Sequence, residues 1–255
     1  MSSEPSVSIR DLTYAYPGGQ RALTGVSFSI SAGETVGVVG PNGAGKTTLF
    51  LCLTGILSVK MGTIRIAGLD PAQASERRAL PSKVGIVFQN SDDQLFNASV
   101  FDDVAFGPLN LGLSADEVRL RVAEALDRVG LKGFGERVPF HLSGGEKRRV
   151  ALAGVLAMRP DVLLLDEPSS HLDPRGRREL IGLIQSIGGT KLIAAHDLEL
   201  IRESCSRILL LDQGQLIAEG PVRSVLTDRE LMEAHGLEVP HSLSHHAEHQ
   251  RHHPE

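Results

Sequence analysis

Near the N-terminus, a short run combines glycines, a lysine and two threonines at a spacing that suits phosphate binding. In order, its residues are Gly40, Pro41, Asn42, Gly43, Ala44, Gly45, Lys46, Thr47 and Thr48. The glycines let consecutive backbone N–H groups converge on phosphate oxygens, and a helix that begins here would add the positive end of its dipole. Lys46 would reach the β- and γ-phosphates, and the hydroxyl of Thr47 would bind Mg²⁺. A chance glycine-rich turn is the alternative, but an apolar strand pattern before the run and a helical pattern after it favour a nucleotide site.

A pair of carboxylates could belong to the same site. Asp166 and Glu167 end the apolar stretch VLLLDE, which begins at Val162. A strand that ends there would place Asp166 beside the phosphate-binding run, where it would hold the Mg²⁺ shell. Glu167 would polarise a water molecule for attack on the γ-phosphate. The alternative is a solvated turn before Pro168.

A third run, at residues 142–146, reads LSGGE and continues into the basic stretch KRRVALAGVLA. Ser143 followed by Gly144 and Gly145 at the start of a helix would make a second phosphate-binding N-terminus. One chain does not need two such sites for one triphosphate, so this run requires a separate explanation.

The elements that must position these residues are indicated by hydrophobic periodicity. Short apolar runs at 35–39, 84–88, 162–165, 191–195 and 208–211 alternate with stretches of helical periodicity. Runs that are apolar throughout are typical of strands buried on both faces of a parallel sheet, so we predict an α/β core. Alternating residues within the first 34 predict a small antiparallel sheet, and the segment from about 99 to 142 predicts a helical insertion. One short helix, SVLTDRELMEAHGL, is predicted after about Pro221.

Composition narrows the class of protein. The 255 residues carry a formal net charge of −5, which argues against nucleic acid as the main partner. Cys52 and Cys205 lie far apart without a CxxC spacing, so we expect small core residues in a reducing cytosol rather than a disulfide or a zinc site. The first residues lack the pattern of a signal peptide, and no apolar run reaches the ~20 residues of a membrane span. We therefore expect a soluble chain whose membrane role would depend on a partner.

The run at 142–146, with its basic continuation, resembles the signature of the ATP-binding cassette (ABC) ATPases, and we call it the signature segment. The resemblance covers about residues 7–225 and implies the P-loop NTPase fold of that family: a mostly parallel core sheet, an N-terminal antiparallel β subdomain and a helical subdomain at about 99–142. It implies an ATP-binding domain over residues 1–225, followed by a C-terminal helix and a histidine-rich tail at 226–255. In the family, the signature completes the site of the opposite subunit, so two cassettes clamp two molecules of Mg·ATP head to tail.

Four further residues match family positions. Tyr16 matches the aromatic that stacks on adenine, and Gln89 matches the glutamine that contacts Mg²⁺ and the attacking water. Asp173 matches the aspartate of the loop that crosses the dimer interface, and His196 matches the histidine that contacts the γ-phosphate and holds the water. Taken singly, each has a structural alternative: a strand aromatic, a solvated loop residue, a helix N-cap and a core histidine.

Residues 87–113 resemble the corresponding segment of energy-coupling-factor importers, which take up vitamins and transition metals. The resemblance implies two membrane partners, a coupling protein and a substrate-binding protein, with the ATPase on the cytoplasmic face of the cell membrane. It also implies a groove that would receive a coupling helix, formed by Leu95, Phe96, Val100 and Phe101; a helical-insertion core is the alternative. Ser91 stands where proline is usual in that group, which predicts a more flexible loop.

The histidine-rich tail gives an indication of cargo. Seven of the ten histidines lie between residues 235 and 253. Neutral imidazoles three or four residues apart suit Ni²⁺, Co²⁺, Cu²⁺ or Zn²⁺. The candidate ligands are His245, His246, His249, His252 and His253. A solvated tail without a metal is the alternative. Together with the importer resemblance, the tail favours nickel or cobalt as cargo. The alternatives are the ATPase of a vitamin importer or of another ABC transporter, and a soluble ABC ATPase without a transport function.

Overall fold

The fold consists of two sheets and the helices packed on them. The structure, a computed structural model, describes residues 4–240 and 242–243. Its strands are β1 (Val7–Ala15), β2 (Arg21–Ile30), β3 (Thr35–Val39), β4 (Met61–Ile66), β5 (Val84–Val87), β6 (Val162–Asp166), β7 (Thr190–Ala194), β8 (Arg207–Asp212) and β9 (Gln215–Pro221). Its helices are α1 (Lys46–Leu53), α2 (Ala74–Ala79), α3 (Val100–Asn110), α4 (Ala115–Arg128), α5 (Gly144–Leu156), α6 (Pro174–Ser186), α7 (Leu198–Ser204), α8 (Val222–Thr227) and α9 (Arg229–Ala234). Over these residues, no helix combines the length and the apolar character of a bilayer-spanning segment.

The central sheet has six strands in the order β5-β6-β7-β3-β8-β9. The strands from β5 to β8 in that order pair in parallel, and β9 pairs antiparallel to β8. Alternate residues of β6 pack into two separate clusters of buried side chains, Val162 and Leu164 in one, Leu163 and Leu165 in the other. Both faces of the sheet are therefore covered, which is why its strands are apolar throughout. The predicted α/β class with a mostly parallel core is confirmed.

The predicted strand positions agree closely with the observed ones. The strand at 35–39 has the predicted bounds. The other four predicted core strands differ from β5, β6, β7 and β8 by at most one residue at each end.

The second sheet is antiparallel and has the order β2-β1-β4. The predicted antiparallel sheet near the N-terminus is confirmed, but the prediction from the first 34 residues omitted β4. Val7 of β1 pairs with Ile30 on one side and with Ile66 of β4 on the other. Ile64 and Ile66 join the same buried cluster as β1 and β2, so burial of this face brings the later strand into the sheet.

A helical region lies between β5 and β6, and α3, α4 and α5 pack on one another there. Ser99 and Ser114 cap α3 and α4 by accepting hydrogen bonds from backbone N–H groups. The expected groove needs one correction. Val100 is fully buried, because it lies in the first turn of α3 on the face that packs against the core. Leu95 and Phe101 are partly buried against the same core, whereas Phe96 is 64% exposed.

The segment after Pro221 differs from the single predicted helix. It forms two short helices, α8 and α9, because Asp228 between them has an extended backbone. The side chain of Asp228 accepts a hydrogen bond from the backbone N–H of Leu231 and so caps the second helix. Aspartate favours such a cap over a helix interior, and this preference overrides the apolar periodicity on which the prediction rested.

Both cysteines lie in apolar surroundings. Cys52 on α1 is fully buried, and Cys205 is partly buried against the core. Burial raises the pKa of each thiol to about 12. The two side chains are free thiols, as the sequence predicted.

Candidate active site

The phosphate-binding run at 40–47, called the phosphate loop below, joins β3 to α1. Gly40 has φ +149°, and a Cβ added there would lie 2.0 Å from the carbonyl oxygen of Leu211. Gly45 has φ +104°, and its added Cβ would lie 2.6 Å from the carbonyl oxygen of Ala22. Only glycine fits at these two positions, since a side chain would be strained and would collide with backbone. The glycines thus let the loop turn tightly against neighbouring chain segments.

Lys46 is the first residue of α1 and is buried. Its Nζ donates hydrogen bonds to the carbonyl oxygens of Gly40, at 2.8 Å, and Pro41, at 3.1 Å. The ammonium group therefore lies over the phosphate loop itself. Burial lowers the pKa of Lys46, and the carboxylates of Glu167 and Asp166 oppose that shift.

Thr47 and Asp166 bring the loop and the carboxylate pair together. The hydroxyl of Thr47 donates a 2.8 Å hydrogen bond to Oδ2 of Asp166, the last residue of β6. Within the described part of the chain, the other carboxylate oxygen of Asp166 is buried and has no hydrogen-bond partner. A hydroxyl beside a carboxylate with an unused oxygen is a donor set that suits Mg²⁺. The residues present therefore fit the ion that the phosphate loop implies.

Glu167 and His196 make two contacts with each other. The backbone N–H of His196 donates a 3.1 Å hydrogen bond to Oε2 of Glu167, and Nε2 of His196 lies 3.2 Å from Oε1. Glu167 has φ +47°, a conformation that non-glycine residues rarely adopt. Its own N–H donates to the carbonyl oxygen of Ala194 at 2.8 Å. Ala194, the last residue of β7, thus holds the backbone of Glu167, and His196, two residues further on, holds its carboxylate.

The buried charges shift one another's protonation. Burial raises the pKa of Asp166, and the hydrogen bond from Thr47 opposes that shift. Burial also raises the pKa of Glu167, against the hydrogen bond from the backbone of His196 and the charges of His196 and Lys46. A carboxylate with a raised pKa is a stronger base, which suits a group that takes a proton from water.

The Nε2 atom of His196 faces two competing partners. It lies 3.3 Å from Nζ of Lys46 and 3.2 Å from Oε1 of Glu167. An ammonium group only donates and an ionised carboxylate only accepts. Nε2 therefore either accepts from Lys46 or donates to Glu167, and the tautomer of His196 decides which contact is a hydrogen bond.

The cavity over the phosphate loop, called the first cavity below, measures about 310 Å³. It brings together most of the predicted site residues: Tyr16, Asn42, Gly43, Ala44, Gly45, Lys46, Thr47, Thr48, Gln89, Glu167 and His196. The phenol of Tyr16 lies 3.1 Å from the hydroxyl of Thr48, so the aromatic is fixed at the edge of the loop.

The signature residues do not reach this cavity. Ser143, Gly144, Gly145 and Asp173 line a second cavity of about 830 Å³, which shares Gln89 with the first. Ser143 caps α5 in a reciprocal capping box with Glu146, and Asp173 caps α6 by accepting a 2.7 Å hydrogen bond from Gly176. Asp173 therefore has the N-cap role that we considered as its structural alternative.

The family model described as ABC transporter matches residues 23–170. This stretch is more than half of the chain and contains the phosphate loop, Gln89, the signature segment and the carboxylate pair. The chain belongs to the ABC transporter family. It is an ABC ATPase, and hydrolysis of ATP is the activity of that class.

Individual proteins agree with this assignment. The ABC ATPase is 48% identical over 239 residues to the energy-coupling factor transporter ATP-binding protein EcfA of Methanothermobacter thermautotrophicus, a match that covers 92% of this chain and 76% of EcfA. The structure of cbiO1 from Clostridium perfringens, part of the ABC transporter complex cbiONQ, superposes with a TM-score of 0.82 at 37% identity and covers 96% of this chain and 100% of that one. A dimeric structure of the ATP-binding cassette MJ0796 bound to ADP and Pi superposes with a TM-score of 0.77 at 27% identity, covering 85% and 98%. The resemblance to ABC ATPases of the energy-coupling-factor type is confirmed.

One residue near the site was not singled out from the sequence. Arg148 of the ABC ATPase is buried on α5. Its guanidinium donates hydrogen bonds to the backbone carbonyl oxygens of Pro168 and Ser170, just after the carboxylate pair, and to that of Gln89. A signal was present in the sequence, since Arg148 lies four residues before Leu152 and seven before Val155, and helical spacing places all three on one side of α5. A cation in line with buried apolar residues indicates a specific internal partner.

The predicted transition-metal ligands of the ABC ATPase lie in the tail. His245, His246, His249, His252 and His253 are outside the described residues. The metal-binding prediction for the tail therefore stays a prediction. Among residues 4–240 and 242–243, no cluster of three or more histidine, cysteine or acidic side chains could hold a metal ion.

Proposed function

We propose that this ABC ATPase is the energy-coupling subunit of an energy-coupling-factor importer, and that its cargo is a divalent transition-metal ion, nickel or cobalt. The position of Gln89 is the observation that carries the importer proposal. Gln89 lines both cavities, and the same segment of chain exposes Phe96 on the protein surface. A change in contacts at Gln89 during ATP hydrolysis would therefore be transmitted along a short stretch of chain to an exposed apolar surface.

Similarity to EcfA and to cbiO1 supports the importer class. The segment at 87–113, which resembles that of energy-coupling-factor importers, contains both Gln89 and the exposed surface. On that surface the rings of Phe96 and Phe106 meet edge to face, with centroids 5.1 Å apart, and Leu109 is 57% exposed. We name Phe96, Phe106 and Leu109 the apolar patch and propose that it receives a helix of the membrane coupling protein. The ATPase would then lie at the cytoplasmic face of the membrane without entering the bilayer.

The two separate cavities support pairing of two cassettes. Glu167 and His196 lie in the first cavity, whereas Ser143 and Asp173 lie in the second. One chain thus carries two different halves of a site. In the proposed dimer, either of two copies or with a related cassette, Ser143 and Gly145 of one chain complete the first cavity of the other, and each pair of halves holds one ATP.

The predicted site residues at and beside the first cavity have proposed roles in hydrolysis. Tyr16 stacks on adenine, and Lys46 with the amides of the phosphate loop holds the phosphates. Thr47, Asp166 and Gln89 hold Mg²⁺, which when bound neutralises charge on the phosphates. Glu167 accepts the proton of the attacking water, and its raised pKa makes it a better base. His196 orients the water and the carboxylate through the contacts described above.

The cargo proposal rests on the composition of the tail. Five closely spaced histidines of the tail would give neutral nitrogen ligands that suit Ni²⁺ and Co²⁺: His245, His246, His249, His252 and His253. A tail on the ATPase would bind ions that have crossed the membrane. An importer of vitamins uses the same ATPase mechanism with a different substrate-binding partner, so it is the alternative cargo.

The test is to isolate the chain from its native membranes in mild detergent, identify the co-purifying proteins by mass spectrometry and measure ATP-dependent uptake of Ni²⁺ and Co²⁺. We expect a coupling protein, a substrate-binding membrane protein and uptake of one of the two ions that stops in the Glu167→Gln variant. Membrane partners that import another solute would refute the metal cargo, and absence of any membrane partner would refute the importer proposal. Unchanged Ni²⁺ affinity after deletion of residues 241–255 would show that the tail does not bind the ion.

A surface variant tests the docking patch separately. Phe96→Ser should abolish co-purification of the membrane partners while leaving ATP binding intact, because Phe96 is exposed and lies outside both cavities. Ile217→Ser is the matched control. Ile217 is also an exposed apolar residue, but it lies on β9, at the opposite edge of the sheet from β5 and the Gln89 segment that follows it. Equal partner recovery with both variants would refute docking at the apolar patch.

A further inference from the structure

Arg148 makes an unusual set of contacts for a buried cation. It lies in the second turn of α5 with 8% of its surface exposed. One terminal nitrogen donates to the carbonyl oxygens of Pro168 and Ser170, both at 2.6 Å, and the other donates to the carbonyl oxygen of Gln89 at 2.9 Å. All three acceptors are backbone atoms, and they come from two segments far apart in sequence.

Packing of α5 against the core does not require a buried cation at position 148. In the described part of the chain, Arg148 has no carboxylate within ion-pair distance, and its Nε has no hydrogen-bond partner. Burial of a cation without an anion is unfavourable, and burial accordingly lowers the pKa of Arg148. A guanidinium is planar and has five N–H donors, so it can reach several carbonyls in fixed directions at once. Arg148 therefore links α5 to the backbone at Gln89 and at residues 168–170, and an apolar side chain at the same place would not.

The segments that Arg148 joins are those that carry the site. The signature serine, Ser143, caps the N-terminus of α5. Gln89 lines both cavities, and Pro168 directly follows Glu167. A second contact joins α5 to the loop that contains Gln89: Nζ of Lys147 lies 2.7 Å from Oδ1 of Asp92. The start of α5 is thus connected to the Gln89 loop twice, and to the segment after Glu167 through Arg148.

We propose that Arg148 is a positioning residue that makes the signature helix, the Gln89 loop and residues 168–170 move as one unit. Its effect on hydrolysis runs through the backbone of Gln89 and through the segment that follows Glu167. Arg148 does not line the first cavity, which contains Glu167 and His196. It does line the second cavity, where both terminal nitrogens of its guanidinium are bonded to the three carbonyl oxygens. The inference rests on ATP hydrolysis by this chain and on the proposed role of Gln89. It does not depend on the cargo.

The test compares Arg148→Lys and Arg148→Met with a matched control, Lys191→Met. Lys191 is also a buried cation whose Nζ donates to backbone carbonyl oxygens, those of Ile187 and Gly189, but it lies on β7 and lines neither cavity. For each variant one measures the melting temperature, the Kd of the protomer for a fluorescent ATP analogue, and kcat and KM of hydrolysis. We expect a fall in kcat of at least ~10-fold for Arg148→Met at a Kd within about twofold of wild type. Arg148→Lys keeps the charge but cannot span all three carbonyls, so its kcat should be intermediate.

A double-variant cycle distinguishes positioning from a general loss of stability. If Arg148 acts through Gln89, the effects of Arg148→Lys and Gln89→Ala on kcat should be strongly non-additive. Lys191→Met should lower the melting temperature but leave kcat within about twofold, and it should combine additively with Gln89→Ala. A wild-type kcat in folded Arg148→Met or Arg148→Lys, or full additivity with Gln89→Ala, would overturn the inference. A Gln89→Ala chain with wild-type kcat would instead refute the proposed role of Gln89, which separates the two failures.

Discussion

The hydroxyl of Thr47 donates a 2.8 Å hydrogen bond to a carboxylate oxygen of Asp166, although 119 residues separate the two in sequence. They meet because β3, which leads into the phosphate loop, and β6, which ends at Asp166, both pair in parallel with β7. The carboxyl ends of all three strands therefore lie at one edge of the sheet, where ligands bind in open α/β sheets. The same edge holds Glu167 and His196.

Thr47→Val should weaken the Mg²⁺ site. Valine keeps the shape of threonine but removes the hydroxyl that bonds to Asp166, so we expect kcat/KM for Mg·ATP to fall ~10-fold or more, the scale of one lost charge-assisted contact. The measurement is ATPase activity over a range of Mg²⁺ concentrations. Thr54→Val is the control. The hydroxyl of Thr54, at the C-terminal end of α1, donates a hydrogen bond to the carbonyl oxygen of Leu51 in the same helix. Equal Mg²⁺ dependence in both variants would exclude Thr47 as a ligand.

Glu167→Gln should hydrolyse ATP at least ~100-fold more slowly, since positioned general bases contribute on the order of 10²–10⁴ in rate. Glutamine keeps the size of the side chain and can still accept from the backbone N–H of His196, so ATP binding should persist. Single-turnover hydrolysis and equilibrium binding of ATP separate the two effects. A Glu167→Gln chain with the wild-type rate would show that another group accepts the proton.

The same variant should be more stable than the wild-type chain at neutral pH. Burial raises the pKa of Glu167 in the folded chain above its ordinary value of 4.5. Between those two values the folded chain binds more protons than the unfolded chain, so its free energy of unfolding falls as the pH rises through that window. Glutamine has no proton to lose. The gain in melting temperature of Glu167→Gln over wild type should therefore be larger at about pH 8 than at about pH 4, and a pH-independent difference would contradict the raised pKa.

Two glycines of the phosphate loop should respond differently to alanine. Gly40→Ala places a Cβ 2.0 Å from the carbonyl oxygen of Leu211 at φ +149°, so the loop and β8 must separate and the chain should unfold or lose its ATP site. Gly43 has φ +79° with nothing within 4 Å of its added Cβ. Gly43→Ala should cost only the conformational strain, about 1–2 kcal/mol in the free energy of unfolding. Urea unfolding of both variants measures the contrast, and equal losses would show that the collision at Gly40 is relieved.

His196→Gln tests how Glu167 is held. The backbone hydrogen bond to Glu167 survives this change, but the imidazole beside Oε1 is lost. The charge of His196 lowers the pKa of Glu167, so its removal should shift the acidic limb of the pH–rate profile for kcat to higher pH. The measurement is kcat from about pH 5 to pH 9. An unshifted limb with a lower plateau would assign His196 to orientation alone.

Much of the fold could be predicted because its signals are local. The five predicted core strands are apolar over consecutive residues, and their bounds agree with the structure to within one residue. Local reasoning was insufficient where a distant partner decides the outcome. β4 joins the N-terminal sheet because β1 has a second edge to pair. The break at Asp228 has a local cause instead, since its side chain caps α9 by accepting from the backbone N–H three residues further on, and the prediction from apolar periodicity did not take this cap into account.

The candidate site shows the same division. The phosphate loop and the carboxylate pair are contiguous in sequence, and their chemistry can be read from residue type and spacing alone. The role of Arg148 could not be read in this way, because its three acceptors are backbone carbonyls of residues 20, 22 and 59 positions away in sequence. Carbonyl oxygens are present at every residue, so the sequence does not mark which of them a buried guanidinium will meet.

By itself, the sequence determined the local machinery: a glycine loop at the start of α1, a carboxylate pair at the end of β6 and a capped helix at the signature segment. Residue type and short spacing set these, since each depends on backbone freedom and side-chain donors within a few residues. Only the tertiary structure decided which of them share a cavity. In the strand order β6-β7-β3 the three strands pair in parallel, so their carboxyl ends lie at one edge of the sheet. This order brings Asp166, Glu167 and His196 to the phosphate loop, while Ser143 and Asp173 lie in the second cavity.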